Sequence, residues 1–277
     1  MGIKAVRIGI VAVSSPFEPD IADRVKQLAA SLFPANPPEL VVHPNSFLRH
    51  GHFAGPDSAR SQAFLDIAND PDIDALWFAR GGYGACRVAD AALARLEPAA
   101  RDKVYLGYSD AGVMLAALYG LGYRVAHGPM CQDIVRAGGG AAVERALRWL
   151  VNRDPDTLEP SLGGAMPAAA FNMITLSQIL GTPLQPNLTD HVIMLEEISE
   201  YLYKIDRTMH HITANPDIRK AAGIRLGRCS DMIENDTAFG MSAEEIVRDW
   251  CGRSAIPYLG RADIGHDSAN RIVPFGV

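Results

Sequence analysis

Residues 75–84 read ALWFARGGYG, and residues 104–112 read VYLGYSDAG. In each stretch a short, unbroken apolar run stops at a turn containing glycine. A strand with no polar alternation is buried on both faces, as in a parallel sheet covered by helices. Working outward, Val6 to Val13 reads as a strand, Asp20 to Leu32 as an amphipathic helix, Glu39 to Val42 as a strand and Ser58 to Ile67 as a helix. A helical pattern fills the space up to about Leu96, and Asp110 to Leu121 continues as a helix after the second quoted stretch. Repeated strand–helix–strand units predict an α/β fold built on a parallel sheet.

After a helical stretch from Ala141 to Val151, residues 152–167 hold Pro155, Pro160, Gly163, Gly164 and Pro167 with no period, which is linker composition. The pattern predicts one α/β domain over residues 1–150, a linker over 151–167 and a smaller α/β domain over 168–277. In the second domain Ile174 to Leu180, Lys204 to Ala214 and Ser242 to Trp250 read as helices, while Val192 to Leu195 and Arg271 to Pro274 read as strands.

The 277 residues are 48% hydrophobic and 21% charged, with 25 Gly and 18 Pro, an ordinary globular composition. A net charge of −6 without a Lys/Arg cluster disfavours nucleic acid and anionic membrane as partners and leaves a small molecule or peptide. The opening MGIKAVRIGIVAVSSP is too short an apolar run to span a bilayer and reads as the first strand, so a cytoplasmic protein without a leader is expected. Cys86, Cys131, Cys229 and Cys251 show no C-x-x-C pair or metal-ligand spacing, and free thiols are expected.

In an open parallel sheet, ligands bind beyond the carboxyl ends of the strands. Three places there carry polar or glycine-rich residues: Ser14-Ser15-Pro16, Arg80-Gly81-Gly82-Tyr83-Gly84 and Gly107-Tyr108-Ser109-Asp110. Ser109, between a strand and a helix, stands where a nucleophilic serine is presented on a sharp turn, although the second glycine of that motif falls at 112 instead of 111. Serine at that position also serves simply as a helix N-cap. Gly81 and Gly82 would let backbone N–H groups approach a bound group, as an anion site or part of an oxyanion hole, or form an ordinary turn. No phosphate-loop or dinucleotide signature is present, so no cofactor is expected. Among eight histidines, His266 alone sits on a polar, glycine-flanked loop beside a strand. His50 and His52 lack a third ligand at metal-site spacing, and no metal is expected.

Taken together, Ala79-Arg-Gly-Gly-Tyr-Gly84, Gly107-Tyr-Ser-Asp110, His127-Gly-Pro-Met130, Gly181-Thr-Pro183, Leu195-Glu-Glu197, Ile205-Asp-Arg207 and Gly265-His266 resemble, in order and spacing, the LD-carboxypeptidase family of serine peptidases. That family includes the microcin-immunity peptidases. The resemblance implies a flavodoxin-like N-terminal domain, a smaller C-terminal domain, a homodimer and a site between the domains. It implies Ser109 as nucleophile, His266 as base, Glu196 as the carboxylate that orients it, and the N–H groups of Gly82 and Asp110 as the oxyanion hole. Arg80, Gly81, Tyr83 and Asn172 become candidate substrate contacts. The family's two glycines before Asn172 are replaced by Ala170 and Phe171, near the expected substrate side. The implied reaction is hydrolysis of the bond to a terminal D-amino acid in murein peptides. A microcin-immunity-like hydrolase of acyl-adenylate amides and a silent ligand-binding homologue are the alternatives. Strand alternation lets only one of Glu196 and Glu197 face His266, and it leaves the other on the opposite face, expected to be exposed.

Overall fold

A computed structural model describes residues 4–277. The first lobe runs β1 (Arg7–Val11), α1 (Pro19–Leu32), β2 (Glu39–Val42), α2 (Asp57–Ala68), β3 (Ala75–Phe78), α3 (Ala89–Leu93), β4 (Val104–Gly107), α4 (Gly112–Gly120), β5 (Arg124–His127) and α5 (Gly139–Asn152). These five strands are parallel in the order β2-β1-β3-β4-β5, the flavodoxin-like order. Every residue of β3 and β4 is buried, as their unbroken apolar runs require. The chain reverses its direction of growth between β1 and β3, so the segments after these strands flank a ready-made crevice.

The second lobe runs β6 (Ala168–Asn172), α6 (Met173–Ile179), β7 (Val192–Ile198), α7 (Leu202–Ala214), β8 (Gly223–Ser230), α8 (Ala243–Ser254) and β9 (Tyr258–Arg261), its four strands forming a parallel sheet in sequence order. The last strand, β10 (Val273–Pro274), leaves this lobe and pairs antiparallel with β5, placing Val273 opposite His127. Proline, which has no N–H to donate, is tolerated there because β10 is an edge. The linker-like segment is also tied down: Leu158 bridges Ile272, and Glu159 accepts the N–H of Asp263 through Oε1 at 3.0 Å.

One apolar cluster crosses between the lobes, joining Phe78, Tyr105 and Met114 to Phe171, Leu195, Ile205 and Phe275. A second, with Ile8, Trp77, Leu106 and Leu147, fills the other face of the first sheet under α1 and α5. Among the described residues no helix is long and apolar enough to cross a membrane. The four cysteines are unpaired.

Candidate active site

The site begins at the end of β4. Gly107 is close-packed, since an added Cβ would lie 2.9 Å from the Phe78 ring. Tyr108 is extended, and Ser109 adopts φ +56°, a left-handed conformation that side chains other than glycine seldom take. A 3-10 turn over Ser109–Ala111 then leads into α4, so Ser109 stands at a bend ahead of the helix expected to start at Asp110. Its hydroxyl lies against the glycine turn after β3: a Cβ on Gly81 would come within 2.8 Å of Ser109 Oγ. Gly82, at φ +112°, backs onto Ser15, whose hydroxyl would collide with any side chain at 82. The two glycines therefore permit a backbone approach that alanine would forbid. Asp110 ties the turns together, its carboxylate accepting the Ser14 hydroxyl and the N–H of Ala85 (2.9 Å). Burial pushes its carboxyl above the usual range, against the pull of those two donors.

From the second lobe, the loop after β9 delivers His266, which is buried. Its Nδ1 lies 2.5 Å from Glu196 Oε2 near the end of β7, and its ring packs at 4.7 Å on Tyr108. Burial alone would hold this imidazole below its ordinary pKa. The charge and hydrogen bond of Glu196 outweigh burial and raise it instead. Ser109 and His266 line one cavity of about 100 Å³ together with Arg80, Gly81 and Gly82. Arg80 is anchored by Nη1 donating to the Pro16 carbonyl at 2.8 Å. Tyr83 instead borders a neighbouring cavity of about 310 Å³, shared with Asp110 and Thr175.

Asn172 is buried as the N-cap of α6, its Oδ1 accepting the N–H of Thr175 at 3.0 Å and its Nδ2 donating to Glu197 Oε1 at 2.6 Å. Ala170 and Phe171, which replace the family's glycines, are buried in the interior of β6, with Phe171 against Phe275. Glu197 departs from its expected exposure: it is only 3% exposed. Alternation does put Glu196 and Glu197 on opposite faces, but Glu197's face, shared with Ile193 and Leu195, packs into the core that joins the lobes.

Sequence reading overlooked Gln132, Asp133 and Arg136, which also line the Ser109 cavity from the turn after β5. The signal for them is the end of β5, whose four residues, RVAH, carry no unbroken apolar run.

The models of the LD-carboxypeptidase N-terminal and C-terminal domains match residues 8–128 and 168–277. The chain belongs to the LD-carboxypeptidase family. This is a family of hydrolases, carboxypeptidases by name. A relative named "Probable murein peptide carboxypeptidase", from Bacillus subtilis, is 27% identical over 99% of this chain and 88% of its own length. The crystal structure of muramoyltetrapeptide carboxypeptidase from Oxalobacter formigenes shares the two-lobed fold at TM-score 0.79 and 23% identity, covering 98% of this chain and 93% of that one. The microcin C7 self-immunity protein MccF, in complex with aspartyl sulfamoyl adenosine, shares it at TM-score 0.78 and 18% identity, covering 99% of this chain and 92% of that one.

Proposed function

We propose that this LD-carboxypeptidase family member is a serine carboxypeptidase that hydrolyses the bond to a terminal D-amino acid in murein-type peptides. The supporting observation is the His266–Glu196 contact at 2.5 Å, with His266 and Ser109 facing one cavity under the Gly81-Gly82 turn. In this reading neutral His266 takes the Ser109 proton as Oγ attacks the scissile carbonyl, then gives it to the departing amine. Glu196 holds the ring tautomer and stabilises the imidazolium. The N–H groups of Gly82 and Asp110 stabilise the oxyanion, and losing one such donor typically costs about 3 kcal/mol of barrier. Water then attacks the acyl-enzyme by the reverse proton route and releases the shortened peptide. The family resemblance carries a cytoplasmic homodimer into the same reading.

Replacing Ser109 by Ala should abolish both turnover of a murein tetrapeptide and labelling by a fluorophosphonate, with the fold retained. Cleavage by the Ser109→Ala protein above a trace would place the nucleophile elsewhere. Likeness to MccF keeps a second substrate class in view. Mass spectrometry of the protein incubated with the tetrapeptide and, separately, with an aminoacyl-adenylate analogue distinguishes the two.

A further inference from the structure

The turn after β5 brings three polar side chains to the Ser109 cavity that no part of the proposed reaction has yet used. Gln132 donates its backbone N–H to the Ala79 carbonyl at 2.9 Å, which pins the turn to the end of β3. Asp133 is buried and accepts three hydrogen bonds: from Tyr108 OH at 2.7 Å, from Met130 N–H at 2.8 Å and from Arg136 Nε at 3.0 Å. Arg136 is thus fixed through Nε, while its side chain stays 37% accessible. A guanidinium has five donors, so the contacts to Asp133 and Tyr108 leave part of the fork for a second carboxylate. Gln132 Oε1 is buried and has no hydrogen-bond partner among the described residues.

The position of these groups tells which part of a substrate they meet. Gln132 and Arg136 line the same small cavity as His266 and Ser109. His266 hands its proton to the leaving nitrogen, so groups beside it meet the leaving residue, whose carboxylate is one carbon away from that nitrogen. The cavity, at about 100 Å³, is much smaller than the neighbouring one of about 310 Å³ and suits a small leaving residue. We propose that Arg136 reads the free terminal carboxylate of the released residue and that Gln132 Oε1 accepts from its nitrogen. This assignment rests on the carboxypeptidase reading and makes Arg136 its specificity determinant.

The test compares a murein tetrapeptide with its C-terminal amide, using fluorophosphonate labelling as a separate report on Ser109. The wild type should favour the acid by about 100-fold in kcat/KM, the scale of one charge-assisted pair. Arg136→Ala should collapse that preference toward one, mainly through KM for the acid, and Arg136→Lys should recover part of it. An acid-to-amide ratio that survives in Arg136→Ala while Ser109 still labels overturns the assignment alone. So does a wild type that cleaves the amide as fast as the acid. Absence of both labelling and turnover in the wild type overturns the underlying reaction together with it.

Discussion

Two adjacent carboxylates near the end of β7 have different surroundings and, in the proposed reaction, different roles. Glu196 is fully buried against His266, while Glu197 accepts from Asn172 Nδ2 and from the N–H groups of Ile174 (3.0 Å) and Ile198 (2.9 Å), pinning the strand end to the start of α6. Burial and then the charge of Glu196 push the Glu197 carboxyl up to about 7, against those donors. An acid raised in this way stabilises the fold below its unfolded pKa near 4.5, and that contribution is lost as pH rises through about 7. Glu197→Gln puts an amide NH₂ where an acceptor oxygen stood, so it should lower stability by about 1–3 kcal/mol near pH 4–5, a deficit that shrinks as pH rises through about 7 and flattens the pH dependence of melting between those values. Glu196→Gln should instead cut kcat by about 10⁴. In the proposed reaction His266 works neutral, and its pKa is raised, so kcat/KM should climb with pH through a midpoint above the ordinary imidazole value of 6.5. That midpoint should fall in any residual activity of Glu196→Gln and stay put in Glu197→Gln. If Glu197→Gln moves the midpoint instead, the roles of the pair are exchanged. The sequence showed that the two side chains must face opposite ways; it could not show that both faces are covered, because burial of Glu197 comes from the start of α6, which packs across the end of β7.

The working residues sit on turns at the ends of elements, and close packing of glycine sets where those turns lie. Gly139 and Gly140 open α5 side by side, yet a Cβ on Gly139 would collide with the Asp133 carbonyl, whereas one on Gly140 would meet nothing within 4 Å. Gly139→Ala should cost about 1–3 kcal/mol by overpacking and displace the turn that carries Arg136. Gly140→Ala should gain about 0.5–1 kcal/mol from helix propensity. Melting shifts of the same sign for both would refute this packing account. Strands β1, β3 and β4 were legible because their apolar runs, such as Ala75–Phe78, are buried on both faces, and the half-buried edge β2 by its short apolar run between polar segments. β5 (RVAH) was hidden, being four residues with Arg124 exposed at one end and a histidine at the other. β8 mixes Gly223, Arg225, Gly227 and Arg228 into its run, and β9 is a half-exposed edge, so neither has the unbroken apolar signature. The turns after β3 and β4 could be found because their strands were, and His266, beyond the half-exposed β9, stood out by its polar, glycine-flanked loop; the turn after β5 had neither signal.

At the scale of the molecule, the first sheet's helix α5 ends at Asn152 and the second sheet begins at Ala168, but the lobes are not independent. Phe275 is 7% exposed and wedges its ring between Tyr119 of the first lobe (5.5 Å) and Phe171 of the second (5.1 Å). Phe275→Ala should cost about 3–5 kcal/mol, and calorimetry should show a single melting transition moved down intact. Two resolved transitions would mean that the lobes melt separately. β10 has a consequence for the order of synthesis. The sheet that a ribosome makes first gains its edge partner from among the last residues described, so the β5 edge stays open while the second lobe is being made and is available to strands from other chains. Closure of that edge brings in the segment just after His266, so the nascent chain completes its first sheet and its candidate base at nearly the same moment.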